Sequence, residues 1–373
     1  MRRVKTFDII RGWCMFMMVW GHMLSWWMIS QDSWLTSSLH SIFGDIVGIG
    51  FLFISGLSAV IFFRSRLLKA EASIGYSEDQ VRHEYLFRAL LILAIALMYN
   101  SIISLGTLDL LNIWKWYIPL TIAFSLLISF PLLTTLKSHR LIVATGFWLS
   151  HYFILSLLVP YQGKPNTFGI LYHFLYNSIG LHPILLYFSF FLIGTVIGDI
   201  IFEIYLKTDQ EERRMALKNE FLLPSFIIGP ILIIIGILSL FPRFLTHATF
   251  SSTVYSLGVI LISTSILLII EEFELINAKR SYRFFFYFSY YSFSIYFAHN
   301  MLYFILFKRA NALTFWIFMP LTFLVIILLL RVIYTTFKDK ASIKAQIGKL
   351  SVRLAFKVKK RSERIEIEKG VLR

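Results

Sequence analysis

An arginine and a histidine separated by ten residues stand in the run TFDIIRGWCMFMMVWGHM near the N-terminus. Arg11 follows Asp8 by three positions, so the two side chains share a helical face and can pair. His22 follows Arg11 by eleven. At about 100° per residue this returns the chain to nearly the same face, and at 1.5 Å rise the two groups lie roughly 16 Å apart along the axis. Arg11 then sits at one mouth of a helix, with His22 deeper. A cation below and an imidazole above suit an elongated anionic cofactor, phosphates low and reactive group high. Coenzyme A has about that reach. The alternative is an interfacial arginine snorkelling to headgroups and a histidine bonded to a neighbouring helix.

Other polar residues belong to the level of His22. Asp45 opens a second apolar run just after His40, and His299 and Asn300 lie in SFSIYFAHNM. Several imidazoles with a carboxylate suggest a general-base site, because histidine titrates near working pH and a carboxylate can orient it. His151 and Asn100 lie within apolar runs and suit hydrogen bonds between helices. His83, His139 and His247 read as loop residues, and His173 and His182 fall in a long connection, 161–182. No two histidines stand at i, i+4 and no HExxH occurs, so no metal site is expected. The single cysteine, Cys14, excludes an internal disulfide. Walker A, GxGxxG and GxSxG motifs are absent from the sequence.

The elements that must position these groups are membrane spans. Of 373 residues, 57% are hydrophobic and 15% charged, against roughly 45–50% and 25% in soluble domains. Apolar runs long enough to cross a hydrocarbon core fall near 8–30, 45–63, 88–106, 116–136, 141–160, 183–206, 221–241, 253–270, 284–307 and 312–334. The expected fold is therefore an all-α polytopic membrane protein of about ten transmembrane helices. The first run is no cleaved signal peptide: it is too long, holds Arg11 and His22, and lacks a small-residue cleavage site.

Charge gives the orientation. With the N-terminus inside, the cytoplasmic side holds 18 basic residues before the tail: Arg2, Arg3, Lys5 and Arg11; Arg64, Arg66, Lys69, Arg82 and Arg88; Lys137 and Arg140; Lys207, Arg213, Arg214 and Lys218; Lys279, Arg280 and Arg283. The outer side holds 5, namely Lys115, Lys164, Arg243, Lys308 and Arg309. The positive-inside rule then puts both termini in the cytoplasm, and it accounts for the net charge of +15 without a nucleic-acid partner. Residues 1–334 form one membrane domain. The basic tail, 335–373, carries Ile343, Ile347, Leu350 and Leu354 at helical spacing. It reads either as an amphipathic helix on anionic lipid headgroups or as a solvated tail.

The stretches TFDIIRGWCMFMMVWGH, DIVGIGFLFISGLSAVIFF, FRALLILAIALMYN and FFFYFSYYSFSIYFAHN resemble the transmembrane acyltransferases. They are most similar to the heparan-α-glucosaminide N-acetyltransferase family and its small bacterial and archaeal relatives. The Arg–His spacing and the FISG stretch are also similar to acyltransferase family three. The resemblance implies a multi-helix enzyme that takes acetyl groups from acetyl-CoA to a sugar across the membrane. It implies a catalytic histidine between the first two helices, shortly before an aspartate, which His40 and Asp45 match in place. It matches His299 to a late family histidine, whereas acyltransferase family three has its histidine where His22 stands. LNIWKWYIPLTIA departs from the family's VLQR-like run after the third helix.

Together these readings give an acyl-CoA-dependent acyltransferase of the cell membrane, acting on a sugar or glycan amine or hydroxyl. Arg11 would bind phosphates, with Arg64 helping. His40 or His22 would be the base, Asp45 would orient it, and His299 and Asn300 would polarise the thioester or bind the acceptor. Membrane lipid and a second copy of the chain are further candidate partners. The rival is a transporter or flippase of lipid-linked sugars using the same polar cavity. The topology is checked by cysteine labelling. Cysteines at positions 40 and 175 should react from outside, and those at 75 and 210 only after permeabilisation; the reverse pattern would overturn the orientation.

Overall fold

The computed structural model describes residues 3–72, 76–177, 182–275 and 282–368, with side chains through 361. Every named element among them is helical. In order they are α1 (Lys5–Trp27), α2 (Ser33–Glu71), α3 (Glu78–Thr107), α4 (Ile118–Ser129), α5 (Lys137–Leu158), α6 (Thr167–Leu175), α7 (Ile184–Leu206), α8 (Gln210–Ala216), α9 (Leu223–Ser239), α10 (Phe250–Glu272), α11 (Arg283–Tyr290), α12 (Ser292–Ala298), α13 (Tyr303–Leu306), α14 (Ala312–Thr336) and α15 (Ile343–Glu368). Arg2, Lys279 and Arg280, counted in the charge balance, lie outside the described residues.

Seven segments among the described residues are long and apolar enough to cross a membrane: Ser30–Glu71, Glu78–Thr107, Lys137–Tyr161, Ile184–Leu206, Gln210–Ser239, Phe250–Glu272 and Ala312–Thr336. Three expected spans take other forms. The first is α1, whose 23 residues reach roughly 34 Å but include Asp8, Arg11 and His22. The fourth is α4, 12 residues long, continued by a 3-10 turn at Phe130–Thr134. Pro131, with no N–H to donate, coincides with that change. The ninth is divided into α11, α12, a 3-10 turn at His299–Leu302, and α13. The seventh span changes pitch through a π-helical turn, Leu217–Leu222, just before Pro224. Leu313, Leu324, Val325, Leu328, Leu329 and Val332 of α14 are all more than half exposed, as lipid-facing residues would be.

The chain divides into two compact units. The first comprises Met1–Ile54 and Glu203–Lys344. In it α1 packs on α11, so closely that a Cβ at Gly12 would fall 2.1 Å from the Phe285 carbonyl oxygen. Val4 gives α1 no side-chain cap. Instead, Glu271 of α10 accepts hydrogen bonds from the Lys5 and Thr6 amides, both at 2.7 Å, and from Thr6 Oγ1 at 2.8 Å, and its charge favours a helix N-terminus. At the other end, the Ala310 amide donates to the Trp27 carbonyl and the Ile29 amide to the Ala310 carbonyl, each at 2.9 Å. Asp32 accepts from the Ala312 amide at 2.7 Å. The α1–α2 turn is thus tied to the segment between α13 and α14.

The second unit comprises Ser55–Phe202 and Ala345–Arg373. Here α2 meets α7 at Gly56, where a Cβ would fall 1.9 Å from the Phe191 carbonyl oxygen. Such approaches need small residues at membrane helix crossings. Asn100 donates to the Ile113 and Lys115 carbonyls at 3.0 and 2.8 Å, in the connection after its own helix rather than on another span as expected. His151 is buried against Tyr152 and Tyr176, and neither ring nitrogen makes a hydrogen bond among the described residues, contrary to the expected bond. His83 and His139 lie on α3 and α5 rather than in loops. A capping box of Ser77 with Gln80 starts α3 five residues before His83.

The FISG glycine is therefore a contact point. Gly56→Ala should lower the thermal midpoint in detergent, since overpacking costs about 1–3 kcal/mol. Gly146→Ala on α5, where a Cβ meets nothing within 4 Å, should leave it unchanged or raised. Equal effects from the two variants would dismiss the close approach.

Candidate active site

At the α1–α2 end of the first unit, Asp45 is 3% exposed and touches three polar groups. Its Oδ2 accepts hydrogen bonds from Ser252 Oγ at 2.6 Å and the Ala248 amide at 2.9 Å. Its Oδ1 lies 2.6 Å from His247 Nδ1, an ion-pair distance. Sequence reasoning gave this carboxylate to His40 or His22; its partner is His247. With Nδ1 on the carboxylate, Nε2 remains for other contacts. The His247 ring lies 5.9 Å from the ring of His40. His40 is exposed on α2, its ring over Gly44, where a Cβ would come within 3.3 Å of Nε2.

His40 also lines a cleft of about 320 Å³ with Ser25, Met28, Ile29, Ser33, Thr36, Ser37 and Lys308, a size that suits a small ligand. Its walls are mostly hydroxyls and apolar groups, with one ammonium. Lys308 is anchored through Nζ to the Ser25 carbonyl at 3.1 Å and through its amide to the Trp26 carbonyl at 2.9 Å.

A second aromatic cluster in the same unit joins His22 to His299, with ring centroids 5.0 Å apart. Trp26 stacks on both, at 5.1 and 5.5 Å. His299 is buried, and its Nδ1 lies 2.5 Å from the Tyr296 carbonyl. That acceptor puts the proton on Nδ1 and leaves Nε2 with a lone pair. Asn300, next along the 3-10 turn, is half-buried. The structure thus separates the expected residues into His40 with Asp45, and His22 with His299.

The two expected phosphate-binding arginines are engaged. Arg11, 9% exposed, donates to Ser289 Oγ at 3.2 Å and lies 3.6 Å from Asp8. Asp8 also pairs with Arg3 at 2.6 Å and accepts from Ser289 Oγ at 3.0 Å. In the second unit, Arg64 donates through Nε and Nη2 to Asp199, at 2.9 and 3.2 Å, and to the Leu133 carbonyl at 3.1 Å. Arg140, fully buried, binds the same carboxylate. In each cluster one carboxylate faces two guanidiniums. Among the described residues no group of three or more His, Cys, Asp or Glu side chains has the geometry of a metal site.

The family model for the heparan-alpha-glucosaminide N-acetyltransferase catalytic domain matches residues 3–230. The chain belongs to this family. No curated protein matches it. Membership in the heparan-alpha-glucosaminide N-acetyltransferase family implies acetyltransferase activity, and the family uses acetyl-CoA as donor. Arg11, His22, His40, Asp45 and Arg64 lie inside the matched region; His247, Ser252, His299 and Asn300 lie beyond it. His247 and Ser252 are the residues sequence reasoning missed. Each stands more than 200 positions from Asp45, and no motif links them.

Burial works against a charged His247, but the hydrogen bond and charge of Asp45 outweigh it and raise its pKa. The pair therefore stabilises the fold fully below the ordinary histidine value of about 6.5. That contribution is lost as pH rises through the raised folded value. The thermal midpoint should fall as pH is taken from about 6 to about 9, and His247→Gln should flatten that part of the profile. An unchanged profile would deny the pair its role.

Proposed function

We propose that this chain is a membrane acetyltransferase that moves an acetyl group from acetyl-CoA to a sugar amine or hydroxyl, with the acceptor arriving at the α1–α2 end. The observation that carries the reading is the His40 ring beside the Asp45–His247 pair, at the wall of a hydroxyl-lined cleft. The positive-inside balance supports ten crossings with both termini in the cytoplasm, which puts this end outside and Arg11 inside. Residues 1–334 then act as the membrane domain and 335–373 as a cytoplasmic tail.

His40 is the base. It takes the proton from the acceptor N–H or O–H as that atom attacks the thioester carbonyl carbon. The new C–N or C–O bond forms as C–S breaks, and the proton passes to the departing thiolate. His247, whose charged form Asp45 favours, transfers no proton and acts on the neighbouring His40 through its charge. Asp45 positions His247, and Ser252 with the Ala248 amide fixes Asp45. Lys308 beside the cleft is placed to steady negative charge on the carbonyl oxygen. His22 and His299, with Asn300, line the thioester end. Arg11 and Arg3, gathered around Asp8, suit phosphates, and Arg64 with Arg140 around Asp199 offers a second such centre.

A transporter remains the second reading. Its supporting observation is the divided segment from α11 to α13, since broken helices line transport sites. A pair of assays decides. His40→Ala should abolish acetyl transfer to a glucosamine panel while acetyl-CoA still binds; His22→Ala should impair both. His247→Gln should lower transfer by about 10²–10⁴-fold, the range of acid–base assistance, with binding retained. Near-normal transfer by His40→Ala would remove it from the mechanism and leave His22 as base. No transfer by the wild-type protein, with solute uptake instead, would favour transport.

A further inference from the structure

Among the described residues, α15 presents two unlike faces. Ile347, Ser351 and Ala355, spaced four apart, are buried. Lys349, Arg353, Lys357, Lys360 and Arg361 are exposed and fall within an arc of about 120° on the opposite side. Leu350, 43% exposed, lies within that arc, and Phe356, 38% exposed, borders it. In the second unit Phe356 packs edge-on to Tyr76 at 5.6 Å. Tyr76 bonds Glu84 and lies under the Arg66 guanidinium. This helix therefore rests beside Tyr76, between the end of α2 that carries Arg64, Arg66 and Lys69 and the start of α3 that carries Arg82 and Arg88.

We infer that the outer face of α15 docks on a layer of anionic phospholipid headgroups. The sign and composition of the face choose the occupant. Five cations match an anionic surface, and the exposed leucine among them with the phenylalanine at their border matches the acyl boundary beneath it. A soluble polyanion satisfies the lysines and arginines but gains nothing from Leu350 or Phe356. The inward face is already packed on protein, so the cationic face is the one available. Helix ends that carry these five basic residues of α2 and α3 face the cytoplasmic leaflet, which carries the anionic lipids.

The test uses the full chain with Gln346→Cys, on the exposed face, labelled with an environment-sensitive fluorophore; the native Cys14 is buried. The protein is reconstituted in nanodiscs of phosphatidylcholine alone or with phosphatidylglycerol. Emission should shift to the blue and brighten only in the anionic discs, and salt should reverse the change. Each cation neutralised should lower the docked-to-undocked ratio about fivefold. Lys349→Gln, Arg353→Gln, Lys357→Gln and Lys360→Gln together should then abolish the shift, and charge-preserving Lys→Arg and Arg→Lys exchanges should keep it. Identical emission in both discs would overturn the inference. So would a shift that survives the four neutral substitutions, or one produced by heparin in neutral discs but not by anionic lipid.

Discussion

Asp45 is a carboxylate removed from water, and the α1–α2 end of the first unit is organised by how it is satisfied. An unpaired charge at such a site costs several kcal/mol. Asp45 avoids that cost with one hydroxyl, one backbone amide and one imidazole, all from the segment 247–252. The consequence reaches beyond one residue. The connection between α9 and α10 is drawn onto α2 at Asp45, and His247 is brought beside His40. Removing Asp45 would leave a hydroxyl, an amide and an imidazole all seeking partners at once.

The same rule governs the opposite end. Glu271 satisfies the first amides of α1, and Asp8 holds Arg3, Arg11 and Ser289. α1 thus carries a charge network at its N-terminus and an aromatic histidine cluster toward its C-terminus. Gly12 lets α11 approach between them. The arginine–glycine dipeptide of the first motif therefore has two separate physical reasons, one electrostatic and one steric.

Much of this was legible in the sequence because the bilayer imposes length and polarity limits on each span. Seven spans stand as apolar helices of sufficient length, and their hydropathy alone announced them. The division of residues 283–306 was not legible, because that stretch contains neither glycine nor proline. The pairing of His22 with His299 follows from two residues that each looked out of place in lipid. The Asp45 partner did not follow, since His247 sits in a polar connection where a histidine needs no explanation. Proximity in sequence favoured His40, five residues away. On a helix, however, a spacing of five turns the two side chains about 140° apart, so a long-range partner was sterically better placed.

A histidine held at ion-pair distance from a buried carboxylate is fixed in position, and a fixed group is poorly suited to reach an acceptor that varies in position. The neighbouring His40 has no such clamp. Gly44 beneath it leaves room for ring motion, and the cleft beside it holds hydroxyls rather than competing carboxylates. In the proposed mechanism the two imidazoles divide what a single catalytic histidine with an aspartate does elsewhere. His247 orients charge beside Asp45, while His40 would face the ligand and exchange the proton.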